Sequence, residues 1–142
     1  MKNYLDALET QRTLLLEKTE HLNTPQYNVI PPGYNNNIIW NMGHTLVVSE
    51  SYLYRNTPFA RPAHPFDTAV FKRGTRPDQA LNDFGISLVR KSLHDTVPVF
   101  QKMLEESGHE INRLITEEDL RFVLFHESIH YRTISALMQY SQ

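Results

Sequence analysis

Two histidines in the last quarter of the chain, His126 and His130, are spaced four residues apart. On a helix, side chains at positions i and i+4 stand one above the other, about 5–6 Å apart. Two imidazoles at that separation can both reach one metal ion at about 2.0–2.1 Å. The same helical face carries Val123, Ile134 and Leu137, so both rings are expected on the core side, where an unpartnered polar ring is costly. The spacing therefore predicts part of a metal site.

A third histidine, His44, lies within a mainly apolar segment, with Asn41 and Asn37 one and two turns earlier on its side. A single inward-facing histidine is more often a core residue bonded to a carbonyl or hydroxyl group. Three of them, two at chelating spacing, favour a metal site instead. Three protein ligands leave an open coordination position, which is typical of catalytic rather than structural sites. We therefore predict that His44, His126 and His130 bind one divalent ion; histidine suits zinc, nickel, copper and iron alike.

Four other histidines lie near predicted helix ends, in a long connection or on a polar face. We expect these four side chains on the solvent-exposed surface: His21, His64, His94 and His109.

The string from His126 to His130 also matches H-E-x-x-H, in which zinc proteases use the glutamate as general base. Those enzymes take a third ligand farther along the chain, and the twelve residues after His130 contain no histidine or acid. The pattern therefore disfavours a protease. Glu127 is still expected near the metal, either as a proton carrier in catalysis or as a fourth ligand. Asn41 is the polar group expected to bind substrate.

Apolar residues recur with helical periodicity in four segments, and no strand pattern is present, so an all-α fold is predicted. The predicted helices cover residues 3–22, 37–55, 83–107 and about 116–140. Arg12 is assigned to the charged, outward face of the first helix. Residues 56–82 contain four prolines and form an unusually long connection. The chain is interpreted as a single four-helix-bundle domain over residues 1–142.

Composition excludes several classes of protein. The formal net charge is -2 and no block of like charges occurs, whereas nucleic-acid binders usually carry a basic stripe. No apolar run approaches the ~20 residues that span a bilayer. The first residues form an amphipathic pattern with acids, unlike a signal peptide. The chain contains no cysteine, which fits a cytoplasmic protein. From the charge and the short apolar runs we expect neither a nucleic-acid nor a membrane partner.

The segment NIIWNMGH at residues 37–44, together with His126-Glu127-x-x-His130, resembles the DinB-like (YfiT-like) superfamily. The resemblance covers nearly the whole chain, including residues 72–77. It implies an up-up-down-down four-helix bundle with its long connection between helices 2 and 3. It also implies a divalent metal, zinc or nickel, whose three ligands map to His44, His126 and His130.

Characterised members of that superfamily look like transferases or isomerases that use low-molecular-weight thiols. The resemblance therefore implies a metal-dependent enzyme acting on a small molecule, with a hydrolase as a related possibility. Two alternatives stay open: a non-catalytic bundle stabilised by metal, and a partner-binding module. The superfamily and three aromatic residues near the end of the second helix also point to a homodimer; these residues are Tyr52, Tyr54 and Phe59.

Overall fold

Four long helices and two short ones make up the protein in the computed structural model, which describes residues 1–140. They are α1 (Lys2–Thr19), α2 (Thr24–Asn28), α3 (Ile38–Tyr54), α4 (Asp83–Ser107), α5 (His109–Asn112) and α6 (Glu117–Met138). A 3-10 turn covers Thr68–Phe71, and no strand occurs within the described range. The all-α prediction is confirmed. Residues 141 and 142 of the predicted domain lie outside the described residues.

Side-chain caps explain where the long helices begin. Asn37 accepts a hydrogen bond from the Trp40 N–H at the start of α3, and Asn82 accepts one from Gly85 at the start of α4. Thr116 does the same for α6. Such caps satisfy N–H groups that have no partner within the helix. The predicted starts of these three helices therefore agree with the structure to within about a residue.

The first helix ends three residues earlier than predicted, at Thr19. Asn23 and Gln26 form a reciprocal capping box that starts α2. The Tyr27 hydroxyl on α2 donates to the Thr19 carbonyl at 2.6 Å and satisfies the end of α1. Residues 24–28, which lie outside the four predicted helices, therefore form a short helix.

Contacts between helix ends fix the direction of α6. The Tyr4 hydroxyl, at the start of α1, donates to Glu117 at the start of α6 at 2.6 Å. Arg55, at the end of α3, donates to Asp119 at the start of α6 at 2.5 Å. α6 therefore runs parallel to α1 and antiparallel to α3.

The direction of α4 completes the topology. Arg90, near its start, donates to the carbonyl of Leu16 near the end of α1 at 2.9 Å, so these helices are antiparallel. The order of the four long helices is up-down-down-up, and the expected up-up-down-down order is wrong. That order needs two long crossovers, whereas residues 20–37 join adjacent ends of α1 and α3. The predicted long connection is confirmed, because residues 55–82 link the parallel helices α3 and α4.

Apolar side chains fill the bundle in two groups, one toward each end. One group contains Leu15, Ile38, Ile39, Met42, Leu46, Phe71, Val89, Leu93, Ile134 and Leu137. The other contains Leu5, Leu8, Leu53, Val97, Phe100, Leu104, Leu120 and Val123. Full burial of one such side chain contributes about 1.5–3 kcal/mol. No helix within residues 1–140 has the length and apolar character needed to cross a membrane.

Gly43 allows the 3-10 turn to pack directly on α3. A Cβ atom at this position would lie 2.4 Å from the ring of Phe71, which is buried. At Gly85 in α4, the nearest contact of an added Cβ would be 3.4 Å. Both substitutions to alanine gain the same intrinsic helix preference, about 1 kcal/mol. Only the one at Gly43 has to displace an aromatic ring.

We therefore expect Gly43→Ala to lower the free energy of unfolding by about 1–3 kcal/mol relative to Gly85→Ala, the cost of overpacking a core. Urea unfolding of the two variants and the wild type measures this difference. Equal unfolding midpoints for the two variants would show that the ring of Phe71 moves away at no cost.

Candidate metal centre

The three predicted ligands meet between α3 and α6. One ring nitrogen from each of His44, His126 and His130 lies within 4.8 Å of the other two. The Nε2 atoms of His126 and His130 are 3.1 Å apart, and the ring centres of His44 and His130 are 4.7 Å apart. His44 is buried and the other two are half-buried. The structure thus brings together residues that are more than eighty positions apart in the chain.

Hydrogen bonds on the outer side hold two of the rings. His44 Nδ1 lies 2.8 Å from the Phe71 carbonyl oxygen, and His130 Nδ1 lies 2.8 Å from Asn41 Oδ1. Both oxygens are acceptors, so each Nδ1 carries the proton and each Nε2 presents its lone pair. Metal-binding histidines commonly donate their other N–H to an oxygen in this way, which fixes tautomer and ring orientation.

The third ring has no such partner. His126 Nδ1 is buried and forms no hydrogen bond with any described residue, while its Nε2 faces that of His130. A buried polar atom without a partner is costly. On the other side of the ring, a cation between the two facing Nε2 atoms, which are 3.1 Å apart, would interact with both imidazoles. Three imidazoles also form a donor set that suits zinc, nickel, copper or iron. The residues present therefore fit a divalent transition-metal ion.

Comparison with known protein families agrees with this geometry. The model of the DinB superfamily matches residues 7–134, which include all three histidines. The chain belongs to the DinB superfamily. The resemblance seen in the sequence is thereby confirmed. No curated protein and no solved structure matches the chain significantly.

The electrostatics of this DinB-superfamily site keep the rings neutral. Burial, followed by the neighbouring charge of His44 and then of Arg73, lowers the pKa of His126 to about 4. Burial, followed by the charges of His126 and His44, lowers the pKa of His130 to about 4. Burial also lowers the pKa of His44, although its bond to the Phe71 carbonyl acts in the opposite direction. Neutral imidazole is the form that binds metal.

These shifts predict how the stability of the metal-free protein depends on pH. The unfolded chain takes up protons on His126 and His130 near pH 6.5, whereas the folded chain does so only near pH 4. The unfolding free energy therefore falls as the pH falls from about 6.5 to about 4. Urea unfolding across this range should show a steeper decline for the wild type than for His126→Ala/His130→Ala. Parallel declines would contradict the assigned shifts.

Glu127 forms an ion pair with Arg12. Its Oε1 accepts from Arg12 Nε at 2.6 Å and its Oε2 accepts from Arg12 Nη2 at 3.1 Å, and both side chains are buried. Burial raises the pKa of the Glu127 carboxyl, and the Arg12 guanidinium opposes that shift. Within residues 1–140 no hydrogen bond joins Glu127 to His44, His126 or His130. The structure therefore shows an ion pair between α1 and α6, and the expected role of Glu127 near the metal stays a prediction.

Arg12 was assigned to the exposed face of the first helix, and that assignment is wrong. Its side chain is only 3% exposed. It also donates to the Leu93 carbonyl at 2.9 Å and to the Ser49 hydroxyl at 2.6 Å. A guanidinium can be buried here because these acceptors and the Glu127 carboxylate replace its hydration. The position of Arg12 in the helical pattern did not indicate that it pairs with Glu127.

Asn41 lies behind His130 and is fully buried. Its Oδ1 accepts from His130, while its Nδ2 donates to the Asn37 carbonyl at 2.8 Å and to Asn36 Oδ1 at 3.1 Å. These contacts use both polar ends of the side chain. Asn41 therefore positions His130, and the substrate contact expected from the sequence stays a prediction.

Among the four remaining histidines, the surface prediction is confirmed for His21, His94 and His109 and is wrong for His64. The side chain of His64 is only 7% exposed. Its Nε2 donates to the Glu50 carboxylate at 2.7 Å, and its Nδ1 accepts from the Ser92 hydroxyl at 3.1 Å. The sequence contained one indication of this contact. Glu50 lies within the apolar α3, and a buried carboxylate needs a partner. The contact holds the long connection, which contains Phe71, on the bundle.

Proposed function

We propose that the chain binds one divalent ion, zinc or nickel, through the Nε2 atoms of His44, His126 and His130, and that it is a metal-dependent enzyme of the thiol-using type. The observation that carries the proposal is the convergence of three neutral rings, two of which have outer contacts that leave their Nε2 lone pairs free for one ion. Three protein ligands leave a position for an outside molecule. A bound ion there lowers the pKa of a thiol or water and so supplies a nucleophile near neutral pH.

Two aromatic rings flank the three histidines. The Trp40 ring stacks on His44 at 4.7 Å between ring centres, and the Phe122 ring stacks on His126 at 5.6 Å. The indole is fixed by a hydrogen bond from its Nε1 to the Val70 carbonyl. These rings form apolar walls beside the site, which limit access of water and strengthen electrostatic interactions there.

A catalytic role for Glu127 stays a sequence-based prediction. The ion pair with Arg12 supports a different proposal, in which Glu127 anchors α6 to α1 and so positions its neighbour His126. Glu127→Gln separates these roles. Loss of turnover with unchanged metal content, unchanged folding and a changed pH profile would support proton transfer.

The test of the proposed enzyme activity is a screen of thiols against electrophiles. Glutathione, cysteine and mercaptoethanol are each paired with chlorodinitrobenzene, using protein loaded with zinc or nickel and the same protein stripped of metal. The proposal expects a thioether product and released chloride only with the metal-loaded protein. His130→Ala is the matched negative control. Metal bound in a fully closed site, with no metal-dependent conversion of any pair, would overturn the proposal.

A non-catalytic, metal-stabilised bundle is the second candidate. The observation that favours it is the placement of the ligands, since His44 lies on α3 and His126 and His130 lie on α6. One ion would cross-link the two helices and would stabilise the folded state by mass action. A large fall in melting temperature on chelation, without thiol turnover, would support this candidate.

A homodimer is also part of the proposal. Phe122, Phe125 and Ile129 form an exposed apolar face on α6 at helical spacing, and Tyr52 stacks on Phe122 at 4.3 Å. Tyr54, also expected in an interface, is instead buried. We therefore propose that two copies pair through this face of α6. A cytoplasmic location, a small-molecule partner and the absence of a nucleic-acid partner stay predictions.

Phe125→Glu is expected to convert the dimer to a monomer, because it places a charge at the centre of the apolar face. Phe125 is 64% exposed, so the monomer should still fold. Phe84→Glu on α4 is the matched control, since Phe84 is 71% exposed and lies outside this face. Light scattering at micromolar concentration measures the mass. A wild-type mass near 16.6 kDa would contradict the proposed dimer.

A further inference from the structure

A fixed turn lies directly beside the three histidines. The Phe71 carbonyl accepts from His44 Nδ1, and immediately afterwards the Thr75 N–H donates to the Lys72 carbonyl at 3.1 Å to close a tight turn. The Thr75 hydroxyl accepts from Trp40 Nε1 at 3.2 Å, which ties the turn to α3. Residues 72–75 are therefore held next to the metal centre at both ends.

Arg73 projects from this turn and has no ionic partner. Its side chain is exposed, and among residues 1–140 it takes part in no hydrogen bond or ion pair. It lies two residues after Phe71, whose carbonyl oxygen is 2.8 Å from His44 Nδ1. Lys72 and Arg76 in the same segment are also exposed cations. The site thus has an unpaired positive charge at its edge.

An unpaired cation close to three metal ligands needs an explanation, because it repels a divalent ion. A negative charge placed between the two would remove the repulsion and be attracted by both. The guanidinium presents parallel N–H groups that match the two oxygens of a carboxylate or phosphate. The arrangement therefore suits a molecule with one metal-binding atom and one oxyanion.

We propose that Arg73 binds an oxyanion, a carboxylate in the simplest case, on the thiol that occupies the open position of the metal. This inference rests on the proposed function and specifies its substrate class: an acidic thiol is preferred over a neutral thiol of similar size. Arg73 acts here as a specificity-determining residue through direct contact with the ligand. The bond-making atom remains the sulfur.

The test uses protein loaded with cobalt, because a thiolate bound to cobalt gives a charge-transfer absorption band. The acidic probe is thioglycolate, and the neutral probe of similar size is mercaptoethanol. The wild type is expected to bind thioglycolate more tightly. Arg73→Gln should weaken thioglycolate binding roughly tenfold, the usual order for a lost hydrogen bond to a charged group, and leave mercaptoethanol binding unchanged.

Arg76→Gln is the matched control, because Arg76 is an exposed arginine of the same segment that lies outside the closed turn of residues 72–75. It should bind both thiols as the wild type does. Equal losses in the two arginine variants, or an unchanged thioglycolate affinity in Arg73→Gln, would overturn the assignment while leaving thiol binding intact. Absence of the band with both thiols in the wild type would overturn the proposed function and this inference with it.

Discussion

Replacing His130 by alanine is expected to lower the affinity for zinc or nickel by more than about 100-fold. Removing an outer hydrogen-bond partner of a metal ligand typically costs about 10–100-fold, and His130 is proposed as a ligand itself. The change also frees Asn41 Oδ1, which is buried. Competition with a chromophoric chelator, using protein purified without a histidine tag, measures the affinity.

Two variants bracket that expectation. Asn41→Ala removes only the oxygen that orients His130, so its loss of affinity should lie in the range of about 10–100-fold. His109→Ala removes an exposed imidazole on α5 and should leave the affinity for the metal unchanged. Full metal retention in a His126→Ala/His130→Ala double variant would contradict the assignment of the ligands.

Glu127→Ala is expected to lower the free energy of unfolding by about 3–5 kcal/mol, the cost of leaving a buried charge without its partner. The substitution leaves Arg12 buried against α6 with only the Leu93 carbonyl and the Ser49 hydroxyl as acceptors. Urea unfolding of the metal-free protein measures this loss without any contribution from metal binding.

The matched control removes an exposed ion pair. Lys91 and Asp95 form such a pair on α4, with Lys91 74% exposed, so Lys91→Ala should cost less than about 1 kcal/mol. Replacing both buried partners, as in Arg12→Met/Glu127→Leu, should recover most of the stability, because no unpaired charge remains. A single Glu127→Ala variant as stable as Lys91→Ala would show that Arg12 reaches water without cost.

The features that were predictable from the sequence are local in the chain. The i, i+4 spacing of His126 and His130 requires only one helix, and α3, α4 and α6 begin where capping side chains are present. His44 could be added because a polar ring in an apolar helix needs a partner. The structure places these three rings together, as expected.

The features that were not predictable depend on pairing between distant segments. Helix direction is decided by which ends meet, and periodicity carries no information about that. The partner of a polar side chain is equally hidden. Arg12 looked like a surface residue because its acceptors lie on three other helices. The hydrogen bond between Asn41 and His130 could not be predicted either, because it spans 89 positions.

The most direct test of the central claim is X-ray absorption at the metal edge of zinc-loaded protein, recorded without and with thioglycolate. The proposed site predicts one zinc per chain, three imidazole nitrogens at about 2.0–2.1 Å and an added sulfur at about 2.3 Å once the thiol is present. A zinc shell that already contains four protein ligands and does not change with thiol would contradict an open, thiol-binding site. The same conclusion would follow if zinc did not bind in stoichiometric amount.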